Sequence, residues 1–361
     1  MTKEELTYAS AGVDRDLRSR AKKGLERLEE TYIHSKGGIL HLPYGNLKPT
    51  FDPNVYQDHK IEGVGTKVLL AQLADKYDTI GIDGAAMAVM DIVRSGARPD
   101  SIADNIDAER SDSYLVDEWT KGLVEAAHRA EVPIVDGEIA DVAALVRGVK
   151  EGKAHHIVCS CVGYVNSDKI IYGKYLKPGD PILGLRSSGL RSNGISLVRK
   201  TLFAEWGGYY KDPFERIDEL DGELILETLK PTDIYSREVL AVNEKFPIRA
   251  AVHITGDAHM KFDRLQNHNP NIGFEFNDLR PHPIFPFIQK TASKLGKSIS
   301  NLEMARTFNL GDGFDIVVDR EYEDGVLDCL ERMDVEAWRV GLVNDSGRIT
   351  AVYNGEELLL K

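Results

Sequence analysis

Cysteine is almost missing from this 361-residue chain: only Cys159, Cys161 and Cys329 occur. Three thiols build no disulfide framework, so a reducing, cytoplasmic compartment is expected. Long apolar runs are missing too. Nothing approaches the roughly 18 consecutive apolar residues of a membrane span, and the start, Met1-Thr-Lys-Glu-Glu, lacks the apolar core of a signal peptide. Positive charge is in short supply, with 45 Lys and Arg against 58 Asp and Glu and a formal charge of −13. That balance argues against nucleic acid as a general partner, because phosphate neutralisation supplies such affinity. A phosphorylated ligand would need local cations or a metal. The usual nucleotide signatures are absent: there is no G-x-x-x-x-G-K-[ST], and no G-x-G-x-x-G between a strand and a helix. No short repeat is visible, which excludes a solenoid.

What is present is ordinary globular composition, 42% hydrophobic and 29% charged. The length exceeds what one core usually serves, so two domains are expected, at 1–170 and 171–361. Leu17, Ala21, Leu25 and Leu28 have the spacing of an amphipathic helix over 15–31. Residues 37–54, rich in Gly, Pro and Asn, read as a long loop. Segments 66–74, 84–95 and 114–131 read as helices, and Asp78 to Ile82 and Val132 to Val135 as short strands. His155 to Val165 reads as a buried strand with Cys159 and Cys161 on one face. In the second half, strands are expected at 182–186, Ala250 to Ile254, Phe314 to Val318 and Trp338 to Val343. Helices are expected at 194–205, 222–229 and 233–245. Helix and strand alternate throughout, giving an α/β or α+β class.

Candidate chemistry begins at Glu62-Gly63-Val64-Gly65-Thr66-Lys67. Two glycines let backbone approach a phosphate, Thr66 offers a hydroxyl, and Lys67 brings charge to a helix start. Asp83, Asp91, Asp104 and Glu138 lie at or near the ends of expected elements. Carboxylates so placed suit Mg²⁺, with water and phosphate oxygens completing the shell. Solvated surface acids are the plain alternative for each.

The run Tyr8-Ala-Ser-Ala-Gly-Val-Asp14 resembles the Y-x-x-A-G-V-D of aminoimidazole ribonucleotide synthetases, the phosphoribosylformylglycinamidine cyclo-ligases. Glu62 to Lys67 resembles their D-G-V-G-T-K, Asp78-Thr-Ile-Gly-Ile-Asp83 their D-T-I-G-I-D, and Gly96-Ala-Arg-Pro99 their G-A-x-P. Ser187-Ser-Gly-Leu-Arg-Ser-Asn-Gly194 with Ser196-Leu-Val-Arg199 is similar to S-S-G-x-H-S-N-G-x-S-L-V-R. Pro231 to Tyr235, His253-Ile-Thr-Gly256 and Arg306 to Gly313 follow in family order, so the blocks extend from residue 8 to about 343.

The resemblance implies two domains of the superfamily's ATP-binding fold, with the N-terminal sheets pairing across a homodimer. It implies ATP as co-substrate, Mg²⁺ as ion and a small phosphoribosyl substrate. In the implied reaction the formamide oxygen of formylglycinamidine ribonucleotide is phosphorylated, the tethered nitrogen attacks and phosphate leaves. Carried over by position, Glu62, Gly63, Gly65, Thr66, Lys67, Asp83 and Glu138 would bind ATP. Glu62, Asp83, Asp91, Asp104 and Glu138 would hold the metal. Ser188, Ser192, Asn193, Thr232, Thr255 and Arg306 would bind substrate, with His253, Lys67 and Arg191 at the chemistry. Each has a structural rival: Ser192 and Asn193 as helix caps, Arg306 as an ion pair, His253 as a satisfied core histidine.

Departures from the pattern are equally visible. Glu62 replaces Asp, Asp91 replaces Asn, Asp136 replaces Gly, and Arg191 replaces His. Asp257-Ala258 replaces two glycines, and Asp312 stands where a small apolar residue is typical. Arg191 cannot carry protons, so an electrostatic role toward phosphate is expected of it. Asp257 is expected to pair with a cation or face solvent. These changes keep two alternatives open, another ATP-using enzyme of the superfamily and a non-catalytic paralogue binding ATP or purine intermediates. Within the superfamily, selenophosphate synthetase and the hydrogenase-maturation protein are disfavoured, because no Cys precedes residue 159 and the chain ends Leu-Leu-Lys361.

Overall fold

The structure, a computed structural model, describes residues 4–361. Two sheets organise it. The first has six strands in the order Leu40–Leu42, Gly45–Pro49, Val55–Gly63, His155–Asn166, Arg98–Ala108, Ile134–Asp141. Its central strand alternates with period two. Ile157, Cys159, Cys161 and Val165 are buried, while His156, Val158, Ser160, Val162 and Tyr164 are not. The buried set lies against helix Asp78–Val93, where Gly84 leaves space for the Cys159 sulfur. Helix Ser113–Ala130 crosses that helix at glycines: a Cβ on Gly122 would stand 1.8 Å from the Asp78 carbonyl oxygen. Among the described residues no helix packs along the opposite face of the sheet.

The second sheet has seven strands, ordered Ile248–His253, Asp312–Val318, Pro181–Arg186, Ala337–Asn344, Gly273–Phe276, Ile349–Tyr353, Glu356–Leu359. Pairing is antiparallel except between Gly273–Phe276 and Ile349–Tyr353. The mixed sheets put the fold on the α+β side of the expected class. Both sheets share one apolar core running from Leu6 to Leu360. A smaller cluster joins Met90 and Val93 of the first half to Leu183, Val239 and Ile316 of the second.

Some elements differ from expectation. Asp78 to Ile82 opens the helix Asp78–Val93 instead of forming a strand. Every residue from Thr79 to Val93 is buried, so no polar face marks the 3.6-residue period. Residues 37–54 contain the hairpin Leu40–Leu42 and Gly45–Pro49. Strands Val55–Gly63 and Arg98–Ala108 carry too many polar residues to stand out by pattern. The helix expected over 15–31 is α-helical only from Arg15 to Lys22 and continues as 3₁₀ turns to His34.

Candidate functional site

Helix Asp78–Val93 brings Asp83 and Asp91, a little over two turns apart, to the contact with the second half. At Asp83, Lys67 Nζ lies 2.7 Å from Oδ2, with neither side chain exposed. Oδ1 accepts from the Thr232 N–H at 2.8 Å and from the Thr232 hydroxyl at 2.7 Å. The same hydroxyl lies 3.1 Å from Ser192 Oγ, and Lys67 also donates to the Lys230 carbonyl. Burial lowers the Lys67 pKa and Asp83 opposes that shift. A continuous polar chain, Lys67–Asp83–Thr232–Ser192, therefore ties the glycine loop to the second sheet.

Around Asp91, Oδ2 accepts from Arg94 at 2.6 Å and Oδ1 lies 2.8 Å from His253 Nδ1. The other ring nitrogen, Nε2, is 2.7 Å from Arg191 Nη2. Arg191 can only donate, so Nε2 accepts and Nδ1 carries the proton toward Asp91. Burial lowers the His253 pKa to about 3, so the ring is neutral near pH 7. Burial works against ionised Asp91, but Arg94, the His253 N–H and Lys261 outweigh it and hold the carboxyl well below the usual range. Arg191 is fully buried at φ 60° and also donates to the carbonyls of Ile254 and Gly313.

Lys261, which sequence reasoning missed, donates to the His253 carbonyl and to the Thr255 hydroxyl. Burial brings its pKa down to about 7, and burial followed by Asp91 brings Glu62 up to about 7. Beside it lies a cavity of about 350 Å³ lined by Arg15, Arg18, Lys22, Lys261, Arg264 and Lys361 among others. Asp257 borders this basin and pairs with Arg18 at 2.6 Å and Arg15 at 3.3 Å, the cation pairing expected of it. The missed cations are scattered from residue 15 to residue 361, so no local spacing could have grouped them.

Several expected roles change. His253 has both ring nitrogens committed and no exposure, which makes it a held core histidine, not a proton carrier at neutral pH. The two terminal nitrogens of Arg191 are spent on His253 and two carbonyls, so the side chain positions that loop. Arg306 donates to the Leu359 and Leu360 carbonyls, a structural use. Among the described residues the five expected metal carboxylates do not converge. Asp83 is taken by Lys67 and Thr232, and Asp91 by Arg94 and His253. Strand register puts Glu62, Cys159, Asp104 and Gly137 in one row, on the helix-covered face. Glu138, one residue on, is exposed on the opposite face.

Other expected residues do gather. Thr66 Oγ1 lies 3.4 Å from Ser196 Oγ, and Gly65 is exposed at φ 71° with open space where a Cβ would be. Asn193 approaches Gly256, next to Thr255. Ser188 bonds Asp233 and the Pro231 carbonyl, bracing the segment that carries Thr232.

This two-sheet architecture belongs to a class with solved members. Thiamine-monophosphate kinase from Stenotrophomonas maltophilia superposes with a TM-score of 0.60, covering 92% of this chain and 95% of that one at 14% identity. T. maritima PurL complexed with ATP superposes at 0.56, covering 89% of this chain and 45% of that one, also at 14% identity. Such identities establish the fold alone. Sequence comparison goes further: the family models described as AIR synthase related protein, N-terminal domain and C-terminal domain, match residues 50–165 and 177–354. The chain belongs to the AIR synthase related family. A phosphoribosylformylglycinamidine cyclo-ligase of Pyrococcus furiosus is 33% identical, with 94% of this chain and 96% of that one aligned. Its counterparts in Methanocaldococcus jannaschii (99% of this chain, 100% of that one) and Clostridium perfringens (95% and 98%) are each 32% identical.

Proposed function

We propose that this chain is an ATP-dependent cyclo-ligase that closes the imidazole ring of formylglycinamidine ribonucleotide, forming aminoimidazole ribonucleotide, ADP and phosphate. The observation that carries this reading is the polar chain Lys67–Asp83–Thr232–Ser192, which joins the glycine loop to the serine loop in a chain matched end to end by relatives bearing that name. The γ-phosphoryl group of ATP passes to the formamide oxygen and turns a poor leaving group into phosphate. The substrate's own tethered nitrogen then attacks the activated carbon, so positioning does most of the remaining work.

In this reading residues 1–170 hold ATP, with Gly63, Gly65 and Thr66 giving backbone access and the first N–H groups of helix Lys67–Ala74 meeting phosphate. Ser192, Asn193, Thr232 and Thr255 border the substrate. The cationic basin of Arg15, Arg18, Lys22 and Arg264 takes the substrate phosphate, with Asp257 held back by its two arginines. Glu62 and Asp104 lie on either side of Cys159 in one sheet row and form no salt bridge among the described residues, so each would offer Mg²⁺ a carboxylate oxygen, with water and ATP phosphate oxygens completing the shell. When bound, the ion would neutralise phosphate charge. The helix-free face of the first sheet, which carries Ile61 at 69% exposure and, four residues along the paired strand, Tyr164 at 38%, suits pairing with a second copy.

Incubating the protein with formylglycinamidine ribonucleotide, ATP and Mg²⁺ should release ADP and aminoimidazole ribonucleotide in equal amounts. ATP binding without turnover would replace the enzyme with a binding protein. ADP release only with a different acceptor would move it to another activity.

A further inference from the structure

We propose that His259, Asp312 and Asp315 form a buried site for a first-row divalent transition ion of the zinc or manganese kind, separate from the ATP-linked Mg²⁺. The three side chains are fully buried, and their candidate ligand atoms lie within 4.8 Å of one another. His259 Nε2 stands 2.7 Å from Asp312 Oδ2 and 4.0 Å from Asp315 Oδ2. Residues three apart on a regular strand face opposite ways, but the register shifts between Asp312 and Phe314, and this bulge turns both carboxylates to one side. Opposite them is Gly184, where a Cβ would lie 3.0 Å from Asp312 Cβ and 3.3 Å from Asp315 Oδ1. The missing side chain leaves room for both acids.

Both oxygens of Asp315, Oδ1 of Asp312 and Nδ1 of His259 have no hydrogen-bond partner. Among the described residues no lysine or arginine forms a salt bridge with either carboxylate; only His259 is in reach. Two buried carboxylates without a cation are costly. One dication with two carboxylates and a neutral imidazole sums to zero charge, and binding releases any proton the acids share. Mixed nitrogen and oxygen donors favour zinc or manganese over magnesium, which prefers oxygen alone. The ion would clamp the turn Ala258–Phe262, which carries Lys261, to strand Asp312–Val318, whose Gly313 carbonyl receives Arg191.

Tag-free full-length protein should be analysed by plasma mass spectrometry as purified, after chelator dialysis, and after reloading with Zn²⁺, Mn²⁺ or Co²⁺ in excess Mg²⁺. About one transition ion per chain is expected, with chelation lowering the melting temperature by several degrees. The Co²⁺ form should show visible ligand-field absorption. Asp315→Asn, nearly isosteric, and His259→Gln should each abolish stoichiometric loading. Wild-type protein that takes up none of the three ions, and whose melting responds to neither ion nor chelator, would overturn the site and leave a proton shared among the three groups.

Discussion

A buried lysine needs a partner, and Lys67 has Asp83 at 2.7 Å with no solvent on either. Asp83→Asn keeps the shape but strands the ammonium. Removing one member of such a pair costs about 3–5 kcal/mol, so the urea midpoint should fall accordingly; a loss under about 1 kcal/mol would mean that Lys67 sheds its proton instead. Lys261 supplies a pH dependence of opposite character. Its folded pKa of about 7 lies below the unfolded value of 10.5, so above pH 7 the unfolded chain binds more protons. The penalty for the charged form is present below pH 7 and is relieved as pH rises toward 10.5. Relative to Lys261→Met, the wild type should gain on the order of 1–3 kcal/mol across that window, measured by denaturant unfolding at several pH values. Flat differences would place Lys261 in solvent. Of the expected site residues, Lys67, Asp83, Ser192 and Thr232 were legible because they belong to short blocks and meet one another. Arg191, His253 and Arg306 were harder to read because what they bond lies between 53 and 162 residues away, and residue type says nothing of a partner's position.

At the scale of elements, the turn after His253 stands out for its backbone. Asp257 and Ala258 sit at φ 73° and 44°, the left-handed region that favours glycine, where the family pattern has two glycines. Asp257 is compensated by Arg15 and Arg18, whereas the Ala258 methyl gains no polar partner there. Ala258→Gly should therefore stabilise the fold by about 0.5–1 kcal/mol, the strain removed less the added chain entropy. Thermal melting checks the direction, and destabilisation would show that the methyl's packing outweighs its backbone strain. Helix Ser113–Ala130 was readable because Asp112 caps it and a polar face marks the period. The buried start of Asp78–Val93 and the polar strand Val55–Gly63 were not, since burial on all sides removes one pattern and a solvated sheet face disguises the other.

For the whole molecule, the surface open to a second copy is the helix-free face of the first sheet. If a second copy covers it, Ile61→Glu places charges in that contact and should convert dimer to monomer in light scattering coupled to size-exclusion chromatography. The substitution faces solvent in the single chain, so the monomer should stay folded. A wild-type monomer would remove the pairing from the reading. Because one apolar core runs from Leu6 to Leu360, the two halves are expected to unfold in a single thermal transition.

The amino-acid sequence by itself determined the alternation of elements, the shared buried face of Cys159 and Cys161, and the order of the glycine-rich and serine-rich blocks. These depend on local period and on residue types within a few positions of one another. Only the tertiary structure decided which charges neutralise which. Asp91 went to His253 and Arg94, Asp257 to Arg15 and Arg18, and His259 met Asp312 and Asp315 across a bulge. Those pairings follow from strand register and helix packing, which bring distant residues to bonding distance, and Coulomb energy in a buried setting depends on that distance.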